Sequence, residues 1–277
     1  LEEDRGRYGQ ALRHLARARV LFGDQNDTCG QSWVELEQAV VLMNQSETNA
    51  ARESFSQAKK LAEECEDPVL SARALMGAGV LAQRSGKHDT ALKIFSLVER
   101  TFRAHGKPRL QSMALTNLGD VYALKGDVPQ ARTYAERSLE IARRLGDLWM
   151  QCIGLAVVGE LSNRSGDAEN GLSLHIEMER LAVRLGSDRM IADAEIGIAE
   201  SLLALGQAEA AHKRAESAHD RAHQGQLTLQ TGHALRVMGA ALVKIGKPGR
   251  ASKTLHAALR ALEETGDADS VSQVREL

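Results

Sequence analysis

Nine histidines stand in this chain, and three of them, His212, His219 and His223, fall close together. His219 and His223 are spaced i, i+4, so a helix would put both imidazoles on one face, an arrangement that can ligate a metal. No carboxylate or cysteine falls in ligand phase with the pair, so the residues read as the solvated end of a helix. No metal and no cofactor are expected. Other signatures of catalysis are missing from the sequence: there is no G-x-S-x-G elbow, no phosphate-binding glycine loop and no C-x-x-C pair. The Gly77 to Gly79 stretch follows no strand and reads as a helix-packing feature. Arg100, Arg103, Lys107 and Arg109 form a short basic run around a hinge, read as a helix end rather than a nucleic-acid patch. The residue chemistry points to recognition, not to an enzyme.

Charge and composition agree with that. The formal net charge is −2, apolar residues make up 43% and aromatic residues 3%. A near-neutral balance calls for neither nucleic acid nor an anionic membrane. No apolar run approaches the roughly 18 residues of a membrane span. Cys29, Cys65 and Cys152 are widely spaced and odd in number, which reads as a reducing, cytoplasmic setting with unpaired thiols. The chain begins without Met and near the end of a first helix, so it reads as part of a longer protein.

What could position recognition residues is visible from Leu115 to Ala131, LTNLGDVYALKGDVPQA. Leu115, Leu118, Gly119 and Tyr122 share one helical face. Gly126 suits the left-handed turn residue that ends the helix, Asp127 suits the next N-cap, and Pro129 fits a first helical turn. The unit returns at a spacing of 40 residues, with glycine at Gly6, Gly86, Gly126, Gly166, Gly206 and Gly246 and serine at Ser46. Small residues follow five positions later at Ala11, Ala51, Ala91, Ala131, Gly171, Ala211 and Ala251. Such periodicity marks a helical repeat, in which each unit stacks on its neighbours.

Some blocks are less regular. The first, Leu1 to Phe22, supplies a turn at Gly6 and one helix with Ala11, Leu15 and Ala18. In the second, the helix around Trp33 to Met43 fits two registers. Strict spacing puts Glu35 and Gln38 inward; a slide of two puts Trp33, Leu36 and Val40 inward, and is preferred. In the fifth, Gly171 and His175 fill the small and aromatic positions of the back helix. Glycine there costs roughly 1 kcal/mol against alanine, so this hairpin reads as the softest interior one. Glu195 occupies an otherwise apolar site in the sixth. The tail, SVSQVREL, reads as the start of another front helix that caps the last hairpin.

The pattern W/L-x-x-L-G-x-x-Y, a turn glycine, then A-x-x-x-F-x-x-A resembles that of tetratricopeptide repeats. Leu118, Gly119, Tyr122, Gly126 and Ala131 match it, as do Ala91 with Phe95 and Ala51 with Phe55 in its second half. The common repeat has 34 residues; the spacing here is similar to the 40-residue variant of bacterial signal-responsive regulators, spindle-orientation adaptors and kinesin light chains. The resemblance implies an all-α, right-handed superhelical solenoid of antiparallel helix pairs over residues 1–277, with about six and a half repeats. It further implies that front helices line a groove holding a peptide or protein segment.

Mapped by phase, that groove comprises Arg73, Gln83 and Arg84 in the third block and Asn117 and Asp120 in the fourth. Glu160, Asn163 and Arg164 follow in the fifth, Glu200 in the sixth and Arg236 in the seventh; Ile196, Leu203, His233 and Val237 share those phases. Asn117 matches the family's backbone-binding Asn. Asp120, Glu160 and Glu200 fall at one phase and are expected to form a column of carboxylates favouring a basic or amide-rich partner segment. The implied role is a non-catalytic, protein- or peptide-binding module of a larger signalling or transcription-regulatory protein. The alternative is a constitutive scaffold. Neither a membrane nor nucleic acid is an expected partner; self-association through exposed end repeats is allowed for.

Overall fold

The computed structural model describes the backbone of residues 2–45 and 47–277, and the side chains of residues 8–45, 47–268 and 270–277. These residues form fourteen helices. In order they are α1 (Glu2–Asp24), α2 (Thr28–Asn44), α3 (Thr48–Glu64), α4 (Pro68–Arg84), α5 (His88–Ala104), α6 (Pro108–Leu124) and α7 (Val128–Leu145). There follow α8 (Leu148–Arg164), α9 (Ala168–Leu185), α10 (Asp188–Ala204), α11 (Ala208–Gln224), α12 (Thr228–Lys244), α13 (Pro248–Thr265) and α14 (Ala268–Arg275). No strand occurs among the described residues. Backbone contacts divide the chain into two compact units, Leu1–Tyr134 and Ala135–Leu277.

The connections repeat as the sequence does. Gly86, Gly126, Gly166, Gly206 and Gly246 take φ between +70° and +83°. A second series of left-handed residues stands midway, with Gly106, Gly146, Gly186 and Gly266 joined at the same phase by Asn26, Glu66 and Gln226. Aspartates cap many of the helices that follow: Asp27 accepts from Gly30 N at 2.8 Å, Asp67 from Leu70 N at 2.9 Å and Asp127 from Gln130 N at 3.2 Å. These bonds satisfy amides that a helix start leaves without partners.

Gly126 shows what the turns require. A Cβ there would meet nothing within 4 Å, yet its φ is +79°. Gly126→Val therefore carries a backbone penalty without a steric one, expected at about 1–2 kcal/mol. Chemical denaturation measures it, and an unshifted midpoint would contradict the assignment.

Within Leu1–Tyr134, successive helices from α1 to α6 pack together, and α2 also meets α4, as α4 meets α6. Within Ala135–Leu277 the helices from α8 to α14 do the same, and α10 meets both α8 and α12. Even-numbered helices thus form one layer of each unit and odd-numbered helices the other. Alanine and glycine let the layers approach. A Cβ at Gly77 would lie 2.1 Å from the Phe55 ring, and one at Gly79 would lie 2.6 Å from Phe95. The core of the first unit gathers Leu36, Phe55, Leu70 and Leu81 with alanines at positions 39, 51, 58, 62 and 74. In the second, alanines carry more of the packing around Ile196 and Val237.

Three expectations change here, and one falls outside the described residues. The turn expected at Gly6 is absent, because α1 runs through it; a glycine permits a left-handed turn but does not impose one. The turn expected at Ser46 lies outside the described residues. The ends of α2 keep the strict forty-residue spacing against those of α4. Of the residues that the slid register puts inward, Leu36 is buried and Val40 packs on the core, while Trp33 is 42% exposed. The polar residues that made the strict register look poor have partners, since Arg19 reaches Glu35 at 2.8 Å and Gln38 at 2.7 Å. Trp33 is covered by the Arg73 guanidinium, 3.9 Å above its ring. Lastly, Cys29 and Cys65 form a disulfide. Cys29 opens α2 and Cys65 caps α3, and an antiparallel hairpin brings those two ends together. The reading of three unpaired thiols fails, and with it the cysteine argument for a reducing compartment.

Candidate functional site

In the Ala135–Leu277 unit the even layer encloses a groove of about 630 Å³. Glu160, Asn163 and Arg164 of α8 stand along it with Ile196, Glu200 and Leu203 of α10 and His233, Arg236 and Val237 of α12. Their positions follow from the repeat: equivalent residues of successive front helices face the same way. The groove also takes in Ser270 and Gln273 of α14, which the phase mapping did not carry into the tail. The signal was there, since Gln273 stands one repeat beyond His233. Val271 and Val274 anchor α14 against Leu235, Leu255 and Leu262, so the tail does cap the last hairpin.

The carboxylates do not stand as a bare column. Glu200 is paired with Arg236, whose side chain is 17% exposed, and Glu160 lies 3.7 Å from Arg164. Although 61% of the Glu160 side chain is accessible, its carboxyl sits within the concavity. Desolvation there, and next the like charge of Glu200, raise its pKa above the usual carboxylate range. Arg236 Nε is buried and makes no hydrogen bond. His233 Nε2 lies 3.3 Å from Asp267 and its Nδ1 lies 3.5 Å from Ser270 Oγ. Burial, and then Arg236, lower the His233 pKa. The result is an apolar floor of Ile196, Leu203 and Val237 between two Glu–Arg pairs.

The remaining mapped residues belong to the even layer of the first unit. Arg73 covers Trp33 and lies 3.6 Å from Glu37; Arg84 donates to the Met43 carbonyl at 3.3 Å. Gln83, Asn117 and Asp120 are half-buried on α4 and α6. None of these five lines the second unit's groove.

Other singled-out residues have structural partners. The His219 and His223 rings stack with centroids 5.9 Å apart. Glu195, buried at its otherwise apolar site, accepts from Ser217 Oγ at 2.8 Å and Arg221 Nε at 3.3 Å, and Arg214 lies 3.9 Å away. That removes the cost of an unpaired buried charge. Gly171 also has a reason: a Cβ there would fall 2.1 Å from Asn163 Oδ1. Burial pushes the Cys152 thiol up to about 11, which leaves it protonated and unreactive at neutral pH.

No protein-family model matches the chain, and no curated protein matches it. Solved structures do. A Rap protein complexed with competence and sporulation factor superposes with a TM-score of 0.72 at 15% identity, over 99% of this chain and 80% of its own. A Pyrococcus horikoshii signal transduction ATPase with a tetratricopeptide repeat sensor gives 0.71 at 18% identity, over 99% of this chain and 42% of its own. The fold is of the tetratricopeptide type. NprR in complex with its cognate peptide NprX gives 0.69 at 15% identity, over 99% of this chain and 81% of its own. In tetratricopeptide terms, α2 and α4 in the first unit and α8, α10 and α12 in the second are each the first of a pair, and the odd-numbered helix after each is the second.

Proposed function

We propose that this chain is a non-catalytic, peptide-binding regulatory module whose second unit holds an extended segment of a partner in the groove between α8 and α14. The groove itself carries the reading: an apolar floor flanked by charged pairs and by polar atoms suits a main chain with alternating side chains. NprR, which shares the fold, was solved with its cognate peptide NprX, and that supports the choice of ligand class. The ATPase with the tetratricopeptide sensor supports a place within a larger signalling protein, because this chain spans only 42% of it.

The segment is basic or amide-rich. Glu160 is the accessible carboxylate and its Arg164 partner is loosely held at 3.7 Å, so it can receive a lysine or arginine. Arg236, fixed by Glu200, lines the same stretch of the groove.

Seven-residue peptides selected by display on the wild-type protein supply the probe, and fluorescence anisotropy the affinity. Glu160→Lys should weaken binding about tenfold, which is about 1.4 kcal/mol, and the difference should shrink at high salt. Glu140→Lys, an exposed change on the odd-layer helix α7, should leave it unchanged. Equal affinity of Glu160→Lys and wild type at low salt would overturn the groove reading.

A further inference from the structure

Behind the groove wall lies a buried polar chain that the proposed binding does not by itself explain. His175 of α9 is 3% exposed, and its ring is held between two glycines of the even layer. A Cβ at Gly159 of α8 would lie 2.5 Å from His175 Nε2, and one at Gly197 of α10 would lie 2.6 Å from Cδ2. Its Nδ1 lies 3.1 Å from Ser201 Oγ. Ser201 Oγ is 2.9 Å from the Gly197 carbonyl and accepts from Asn163 Nδ2 at 3.0 Å. Asn163 lines the groove.

The repeat supplies an internal comparison. At the positions of Gly159, His175 and Ser201, the first unit has Gly79, Phe95 and Val121. A Cβ at Gly79 would meet Phe95 at 2.6 Å, so the same glycine socket accepts a phenyl ring. Packing alone therefore does not call for an imidazole, and the pair His175 and Ser201 is a polar substitute for Phe95 and Val121. What the substitution adds is a hydrogen-bonded path that ends at a groove amide.

We infer that His175 is a positioning residue: through Ser201 it sets the Asn163 amide in the groove, and its protonation resets that amide and weakens binding as pH falls. The Ser201 hydroxyl has one proton and two acceptors within reach, the Gly197 carbonyl and an unprotonated His175 nitrogen. Once Nδ1 carries a proton it donates to Ser201, the hydroxyl is committed to Gly197, and Asn163 Nδ2 shares the Ser201 oxygen with the imidazolium instead of holding it alone. The groups facing the ring are few. From α8 they are Gly159 and the Ala156 carbonyl; from α10 they are the Gly197 carbonyl, Ser201 and Glu200, the titratable group whose charge reaches it. An imidazolium here also interacts with the charge of Glu200, the partner of Arg236, so the groove feels the proton a second way. Burial holds the His175 pKa below the ordinary imidazole value, which places the change on the acid side of neutrality.

The inference rests on the groove reading for its functional consequence, and the test separates the two. Side-chain ¹⁵N and ¹H resonances of Asn163 are followed with the His175 ring from about pH 7 down to about pH 4, the side of the ordinary imidazole value of about 6.5 to which burial moves it. The same titration is run on His175→Phe with Ser201→Val, which copies the first unit. In the wild type the Asn163 amide should move with the midpoint of the ring; in the double variant it should not move. The display-selected peptide should bind the wild type at least fivefold more weakly at the acid end, and bind the variant without that dependence. An Asn163 amide indifferent to His175 overturns the inference even if the peptide binds, and so does wild-type affinity that is constant with pH. If the amide follows His175 and no peptide binds at any pH, the positioning role stands and the groove reading falls. The wild-type titration decides the matter should the variant not fold.

Discussion

Phe95→Ala lowers the stability of the protein by about 3 to 5 kcal/mol, the usual range for removing a fully buried phenyl ring. Phe95 is 0% exposed and fills the space that Gly79 leaves open on α4. Gly79 supplies no side chain of its own to fill the void, so the cost depends on how far Ile94, which borders the same socket, can move into it. Phe95→Leu keeps most of the volume and should cost less than half as much. Urea denaturation of the two variants measures the difference. A Phe95→Ala loss below 1 kcal/mol would mean that the helices close over the vacancy, contrary to a glycine socket fixed by its turns.

Reducing the Cys29–Cys65 bond is expected to cost about 3 to 4 kcal/mol in the chain-entropy account, given the 36-residue separation it spans. The bond ties the start of α2 to the end of α3, across one hairpin. Stacked repeats share interfaces, so the loss should reach α4 as well as the bridged pair. Thermal unfolding with and without reductant, paired with Cys29→Ser, checks it. A melting temperature indifferent to reductant, in protein whose bond is shown to be intact beforehand, would contradict the expectation.

Much of the fold was legible because a repeat states its geometry many times over. Glycines forty positions apart mark the turns from Gly86 to Gly246, and all five take left-handed φ. The same phase arithmetic put Glu160, Asn163, Arg164, Glu200 and Arg236 on front helices, where the structure gathers them into one groove. It failed where the answer depended on a partner from outside the pattern. Glu35 and Gln38 look wrong for an inward face until Arg19 of α1 is in place beside them. The disulfide was hidden for a like reason: the two cysteines are far apart in sequence, and only the return of α3 along α2 joins them. His175 read as an occupant of an aromatic position, because its meaning lies in Ser201, one helix further on. The turn at Gly6 was overread from phase alone. A glycine makes a turn possible and does not require one.

The groove in the Ala135–Leu277 unit is tested most directly by mapping where a display-selected peptide sits, through backbone amide shifts on titration and photo-crosslinking from the peptide. The expected perturbations fall on Asn163, Ile196, Glu200, Leu203, His233 and Arg236, with crosslinks to α8, α10 and α12. Perturbations confined to the odd-layer helices α9, α11 and α13, or to the Trp33 and Arg73 surface of the first unit, would contradict it.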